Sequence, residues 1–214
     1  MKTRDRIIHS AIELFNDQGE PNVTTNHIAT HMGISPGNLY YHFRNKEDII
    51  HSIFDQYARH LSERFVPARG REITLQDLMG YLDAISYLMW QFRFFYANLP
   101  DILRRDEPLQ QKYLKAQEQM RASVVALLRS LREGGIIDVR DEDLPDLGQT
   151  IKMVVTCWIP FQIAQAPHTR ITKPILYQGV LRVLFLLRSY VQPGMAGQIR
   201  QLEQHYRHLA QTIN

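Results

Sequence analysis

One cysteine, Cys157, occurs in 214 residues, so an intramolecular disulfide is impossible and a multi-thiolate zinc site is excluded. The chain reads as a product of a reducing compartment. Long apolar runs are missing too: Met153 to Ala164 and Val180 to Val191 are broken by Thr156, Pro160, Gln162, Arg182 and Arg188, short of the roughly 18 uninterrupted residues a membrane span needs. The opening MKTRDRIIHSAIELFNDQG mixes charges into its apolar residues at helical spacing, unlike a secretory signal. These features predict a soluble, cytoplasmic protein with no membrane partner. Charge of one sign is scarce as well. With 25 Lys and Arg against 22 Asp and Glu, net +3, affinity for nucleic acid has to come from local placement.

Catalytic motifs are also lacking. There is no GxSxG, no P-loop, no GxGxxG and no carboxylate pair with Glu-x-x-His spacing, which argues against an enzyme and leaves no cofactor to expect. His27 and His31 lie four apart on a helix, a spacing that can hold a metal, but no third ligand accompanies them. His205 and His208 fare no better, and no metal is expected.

What the chain has is helical periodicity. Ile7, Ile8, Ala11, Leu14 and Phe15 form one stripe of a helix over about 3–18, stopped by Gly19-Glu20-Pro21. Thr24 or Thr25 can cap a short second helix with Ile28, Ala29 and Met32 inside, ended by Gly33. Ser35 and Pro36 start a third, with Leu39 and Phe43 as its buried face. Asn45 and Asp48 start a fourth, which runs to about Phe65. Pro67 to Arg71 is the first linker-like break, so the pattern predicts two units, 1–66 and 67–214. Beyond it, helices are predicted from Thr74 to about Leu99, briefly after Pro100, from Pro108 to about Glu133, Leu144 to about Ala164 and Thr172 to about Val191. A weakly anchored tail helix over about 198–213 closes the chain. No run alternates with period two, so the class is all-α.

The small residue Ala29, the glycine four later and the apolar Leu39 six beyond that have the spacing of a helix-turn-helix, whose second helix docks in the DNA major groove. Tyr40 and Tyr41 are adjacent on a two-turn helix, so at least one ring points outward and offers its hydroxyl to a phosphate. Gly37 removes a side chain where backbone must approach DNA closely. Lys46 adds a cation to the start of helix four, and Thr25 and Asn26 stand at the start of helix two.

The stretch TTNHIATHMGISPGNLYYHFRNKEDII, residues 24–50, resembles the DNA-binding domain of the TetR family of transcriptional regulators in its Thr-Thr pair, Ile28-Ala29, Gly33, Leu39-Tyr40, His42-Phe43 and Lys46. With helix one, the resemblance covers about residues 5–52. It implies an N-terminal three-helix DNA-binding domain followed by a helical ligand-binding and dimerisation domain. Asn26, Pro36, Gly37, Asn38 and His42 would lie nearest the base edges, with Thr25, Tyr40, His42 and Lys46 at phosphates. The implied protein is a homodimeric, nucleoid-associated repressor released from a palindromic operator by a small apolar or aromatic effector. The alternative is a DNA-binding regulator or architectural protein without a small-molecule ligand.

One count is discordant. Residues 1–66 hold seven Lys or Arg against eight Asp or Glu, but also six of the nine histidines. With an ordinary pKa near 6.5, part of that set can charge beside a polyanion, so DNA binding is expected to tighten between about pH 8 and 6.

In the second unit, seven aromatics crowd into Tyr81 to Tyr96. Tyr87, Trp90 and Phe94 share one helical face beside Arg93, and Trp158 and Phe161 flank Pro160, which should bend its helix. Together they are candidates for the walls of an effector pocket, with Arg93, Arg104 or Arg105 placed to meet a ligand carboxylate. The helix after Thr172 is apolar nearly all round, which predicts a twofold dimer in which it packs with the 144–164 helix across the interface.

Overall fold

The computed structural model describes residues 2–66, 71–167 and 169–212. The described residues form ten α-helices: α1 Thr3–Gln18, α2 Thr25–His31, α3 Pro36–His42, α4 Lys46–Arg64, α5 Leu75–Gln91, α6 Arg93–Arg105, α7 Glu107–Glu133, α8 Leu144–Gln165, α9 Lys173–Arg188 and α10 Ala196–Gln211. Among the described residues there is no strand, only one antiparallel bridge between Ile137 and Val191. No helix among them is long and apolar enough to cross a membrane.

Local chemistry explains the boundaries. Thr24 and His27 cap α2 reciprocally, Ser35 Oγ accepts from Asn38 N at 3.2 Å, and Asn45 Oδ1 accepts from Asp48 N at 2.8 Å. Thr74 and Asp77 form a second reciprocal cap on α5, and Asp106 caps α7 by accepting from Leu109 N at 3.0 Å. Gly33 lies at φ +66°, which an L side chain adopts only with strain, and there the chain turns from α2 into α3.

Two expectations fail at α5 and α6. The helical pattern predicted from Thr74 to Leu99 breaks at Phe92, not at Pro100, and α6 continues through Pro100, whose ring lies on the exposed face. Phe92 drives the break, because its buried ring packs edge-on to Tyr57 at 5.4 Å. The Asn16 carboxamide of α1 fills the gap: its Nδ2 donates to Gln91 O at 2.9 Å, and its Oδ1 accepts from Phe94 N at 3.0 Å. Two backbone groups that the break would leave unpaired are thereby satisfied.

The tail is firmly anchored, contrary to expectation. Ile199, Leu202 and Tyr206 are buried, Tyr206 Oη donates to Asp83 Oδ1 at 2.7 Å, and Arg188 forms a forked pair with Glu203. The predicted Pro67 to Arg71 break lies outside the described residues except for Arg71. The apolar core does not part at that point in the chain: one cluster joins Ile7, Phe15, Ile28 and Leu39 to Phe92, Phe95, Leu109 and Trp158. A second cluster gathers α5, α7, α8, α9 and α10 around Leu82, Leu131, Leu184 and Tyr206.

Candidate functional site

Helices α2 and α3 are each seven residues long and meet through Ile28, Ala29 and Leu39, all essentially inaccessible. The turn between them is tied by Ile34 N donating to Ala29 O at 3.0 Å and Gly33 N to Thr30 O at 3.1 Å. With its inner face spent on this packing, α3 presents Pro36, Gly37, Asn38, Tyr40 and Tyr41 to solvent. Tyr41 is 85% exposed, far beyond what a residue in a small core would be. The Tyr40 and Thr25 hydroxyls lie 3.0 Å apart, so these two expected phosphate contacts form one hydroxyl pair bridging α2 and α3. Asn26 is exposed beside Thr25, and His42 is half-buried at the end of α3. A Cβ added at Gly37 would meet only Ser35 Oγ, at 4.0 Å, so packing within the chain does not demand glycine there.

Lys46 departs from its expected role. Its ammonium points inward, donates to Glu20 O at 3.0 Å and Val23 O at 3.1 Å, and lies 2.8 Å from Glu20 Oε1. An ammonium has three donors, and all three face the interior, so Lys46 fixes the turn before α2 instead of standing free for phosphate. Glu20 is fully buried, and its other oxygen is 2.6 Å from Arg105 at the end of α6. Neither carboxylate oxygen meets hydrogen-bond angles, so both contacts act as Coulombic pairs. Beside them, His51 Nε2 lies 2.8 Å from Asp106 Oδ2. The α6–α7 junction thus grips the first four helices through two adjacent polar links.

Three further histidines have local partners. His27 serves the α2 cap, while His9 and His31 flank Glu13 at 3.3 and 3.7 Å. Among the described residues no three His, Cys, Asp or Glu side chains have metal-holding geometry.

The residues expected to wall an effector pocket do not surround one enclosed space. Phe94 is buried against Phe15 at 5.1 Å. Trp158 is buried with its Nε1 donating to Ile175 O at 2.7 Å, and Phe161 stacks on its outer side, exposed. Tyr87 carries Arg64 at 4.8 Å, and Trp90 carries Arg93 at 4.1 Å. Tyr87 and Trp90 flank an open groove beside α9 and α10, while Trp90, Arg93 and Phe94 flank another against α1. Arg104 pairs with Asp101 and Arg105 with Glu20. The aromatic density serves a different end: Phe54, Tyr57, Phe92, Phe95, Tyr96 and Tyr113 knit α4 to α6 and α7.

An apolar cavity of about 80 Å³ does exist, deeper in, between α4, α5, α7, α8 and α9. Helix α4 contributes Tyr57 and Leu61, Phe65 follows directly at its end, and α6 contributes Tyr96. The Tyr57 and Tyr96 hydroxyls are 3.2 Å apart, and burial pushes both phenols upward, Tyr96 to about 12. Sequence reasoning missed this cavity because its walls are scattered over six helices, most of them at ordinary aliphatic core positions. It missed Glu20 because the cations that neutralise it lie 26 and 85 residues away.

Comparison with known proteins finds two family models that match the chain. Residues 7–53 match the family model described as bacterial regulatory proteins, tetR family, and residues 56–198 match TetR, described as a bacterial transcriptional repressor. A TetR-family transcriptional regulator from Marinobacter aquaeolei VT8 is 39% identical with a TM-score of 0.88, over 97% of this chain and 100% of that one. The ketosteroid transcriptional regulator KstR2 of Mycobacterium tuberculosis shares the fold, with a TM-score of 0.65 at 19% identity over 89% and 96% of the two chains. The uncharacterized HTH-type transcriptional regulator TtgW of Pseudomonas putida is 33% identical over 85 residues, 39% of this chain and 63% of that protein. The chain spans less than two thirds of the length of the curated relatives it matches first.

Proposed function

The chain belongs to the TetR family of bacterial transcriptional regulators, and from that membership we propose that it is a homodimeric, nucleoid-associated repressor released from a palindromic operator by a small, largely apolar effector. Residues 1–66 would form the DNA-binding unit and residues 67–214 the effector and dimer unit. In this reading Asn26, Pro36, Gly37, Asn38 and His42 face base edges, and Thr25, Tyr40 and Tyr41 meet phosphates. The bare backbone at Gly37, which the chain's own packing does not require, supports close approach to DNA.

The observation that carries the reading is the cavity's wall on α4, the helix whose first residue, Lys46, braces the helix-turn-helix. An effector that expands the cavity moves Tyr57, Leu61 and Phe65, and α4 conveys that motion to the recognition helix. Release works only if the effector prefers the DNA-incompetent arrangement, and a 100-fold loss of operator affinity requires about 2.7 kcal/mol of differential binding. A second copy is supported by Met153, Phe161 and Phe185, large apolar side chains left more than half exposed on α8 and α9. A seven-residue recognition helix reads few base pairs, and a twofold pair reads a palindrome.

Footprinting on DNA flanking the chain's own gene, with sedimentation in parallel, tests this. Expected are a two-half-site footprint and a dimer at micromolar concentration, with exposed-face variants such as Phe185→Glu becoming monomeric. Failure to retain any duplex at low salt, or a monomeric wild type, overturns the proposal.

A further inference from the structure

The cavity's polar groups fall into two sets. At the α4, α5 and α6 side, Tyr57 and Tyr96 satisfy each other and Tyr81 Oη donates to Val66 O at 2.7 Å. At the α7–α8 edge stand Gln117, Lys152 and Thr156, which also line the cavity. Among the described residues none of these three side chains has a hydrogen bond or ion pair to protein. The nearby carboxylate, Glu118, is spent on Arg121 at 2.6 Å. Lys152 and Thr156 are one helical turn apart, so both heads project from the same face of α8.

We propose that the effector is an amphipathic carboxylate, its apolar body in the cavity and its anionic head at Lys152, Thr156 and Gln117. This rests on the reading of the cavity as the effector site and adds the ligand's chemical class. An ammonium, a hydroxyl and a carboxamide offer five or more N–H and O–H donors to a group that only accepts. A neutral alcohol uses fewer of them, and an amine is repelled. Electrostatics points the same way: burial and the neighbouring Arg121 push Lys152 below its ordinary range despite the opposing pull of Glu118, a penalty on its charge that an anion relieves. The resting cavity sets the size. At roughly 10–15 Å³ per water-sized occupant, its volume accommodates about five to eight non-hydrogen atoms of tail.

The probes are sodium octanoate, octan-1-ol and methyl octanoate, titrated calorimetrically into the full-length wild type and into Lys152→Met and Lys152→Gln. The wild type is expected to bind octanoate at least about tenfold more tightly than either neutral probe, as a charge-assisted contact should provide. Both variants are expected to lose that preference while binding octan-1-ol as before, with thermal unfolding confirming that they fold. Equal affinity of acid and alcohol in the wild type, or a preference that survives in both variants, overturns the carboxylate assignment and leaves the cavity reading standing. If none of the three probes binds, the cavity reading falls and takes this inference with it.

Discussion

Replacing Glu20 by Gln probes the link between the DNA-binding helices and the α6–α7 junction. The amide keeps the shape and removes the charge, leaving Lys46 and Arg105 to face a neutral group from 2.8 and 2.6 Å. Removing one partner of a buried ion pair costs about 3–5 kcal/mol, because the survivor stays desolvated. Here the survivors differ. Lys46 is only 19% exposed and bears most of the loss, although two carbonyls still accept from it; Arg105 is 41% exposed, and solvent screens its share. The expected net loss is about 3 kcal/mol, which for a chain of this size lowers Tm by about 6–12 °C. Thermal unfolding followed by circular dichroism measures it. A companion Arg105→Gln, alone and combined with Glu20→Gln, should show the double variant less destabilised than the sum of the singles. A single-variant shift under about 2 °C, or strict additivity, would refute the ion-pair account.

Four further outcomes are expected. Tyr40→Phe keeps the ring and loses the hydroxyl paired with Thr25, so operator affinity by fluorescence anisotropy should fall about fivefold to tenfold with Tm almost unchanged; unaltered affinity would remove Tyr40 from the interface. Gly179→Ala would place a Cβ 2.8 Å from Trp158 Cδ1, an indole already pinned by Ile175 O, and should cost about 2 kcal/mol in urea unfolding. Ser35→Ala removes the α3 cap and should cost about 1 kcal/mol, whereas a neutral result would show that Pro36 alone starts the helix. Finally, buried Tyr57 and Tyr96 hold their protons in the folded state, Tyr96 to about 12, while unfolded tyrosine ionises near 10. Their contribution is therefore complete below about pH 10 and is lost as pH rises toward 12. The urea midpoint should fall across that window, and Tyr96→Phe should flatten the fall.

The helix-turn-helix was legible because its determinants are local. Ser35, Pro36 and Asn45 cap or open the helices that follow them, and Gly33 takes the one backbone conformation that favours glycine. The Phe92 break was hidden because Asn16, which stabilises it, lies 75 residues from Gln91, and nothing near Phe92 marks a stop. Pro100 looked like a terminator because the rule against helical proline is local, whereas the packing of Phe95, Leu99 and Ile102 holds α6 together around it. The tail looked weak because one apolar stripe gives no hint of the Asp83 carboxylate that receives Tyr206. Lys46 was assigned outward for a related reason. Its position at a helix start suggests an anion, and the anion it meets is the chain's own Glu20.

The Asn16 carboxamide splices a helix junction that belongs to the other half of the molecule. Chimeras that graft this recognition head onto another regulator's body would therefore transplant one side of a two-sided joint, and the donor body would keep an interrupted helix with nothing to mend it. Exchange of heads within the family should succeed most readily between chains that carry an amide at this position, which makes residue 16 a practical criterion for choosing parents when regulators of new specificity are assembled.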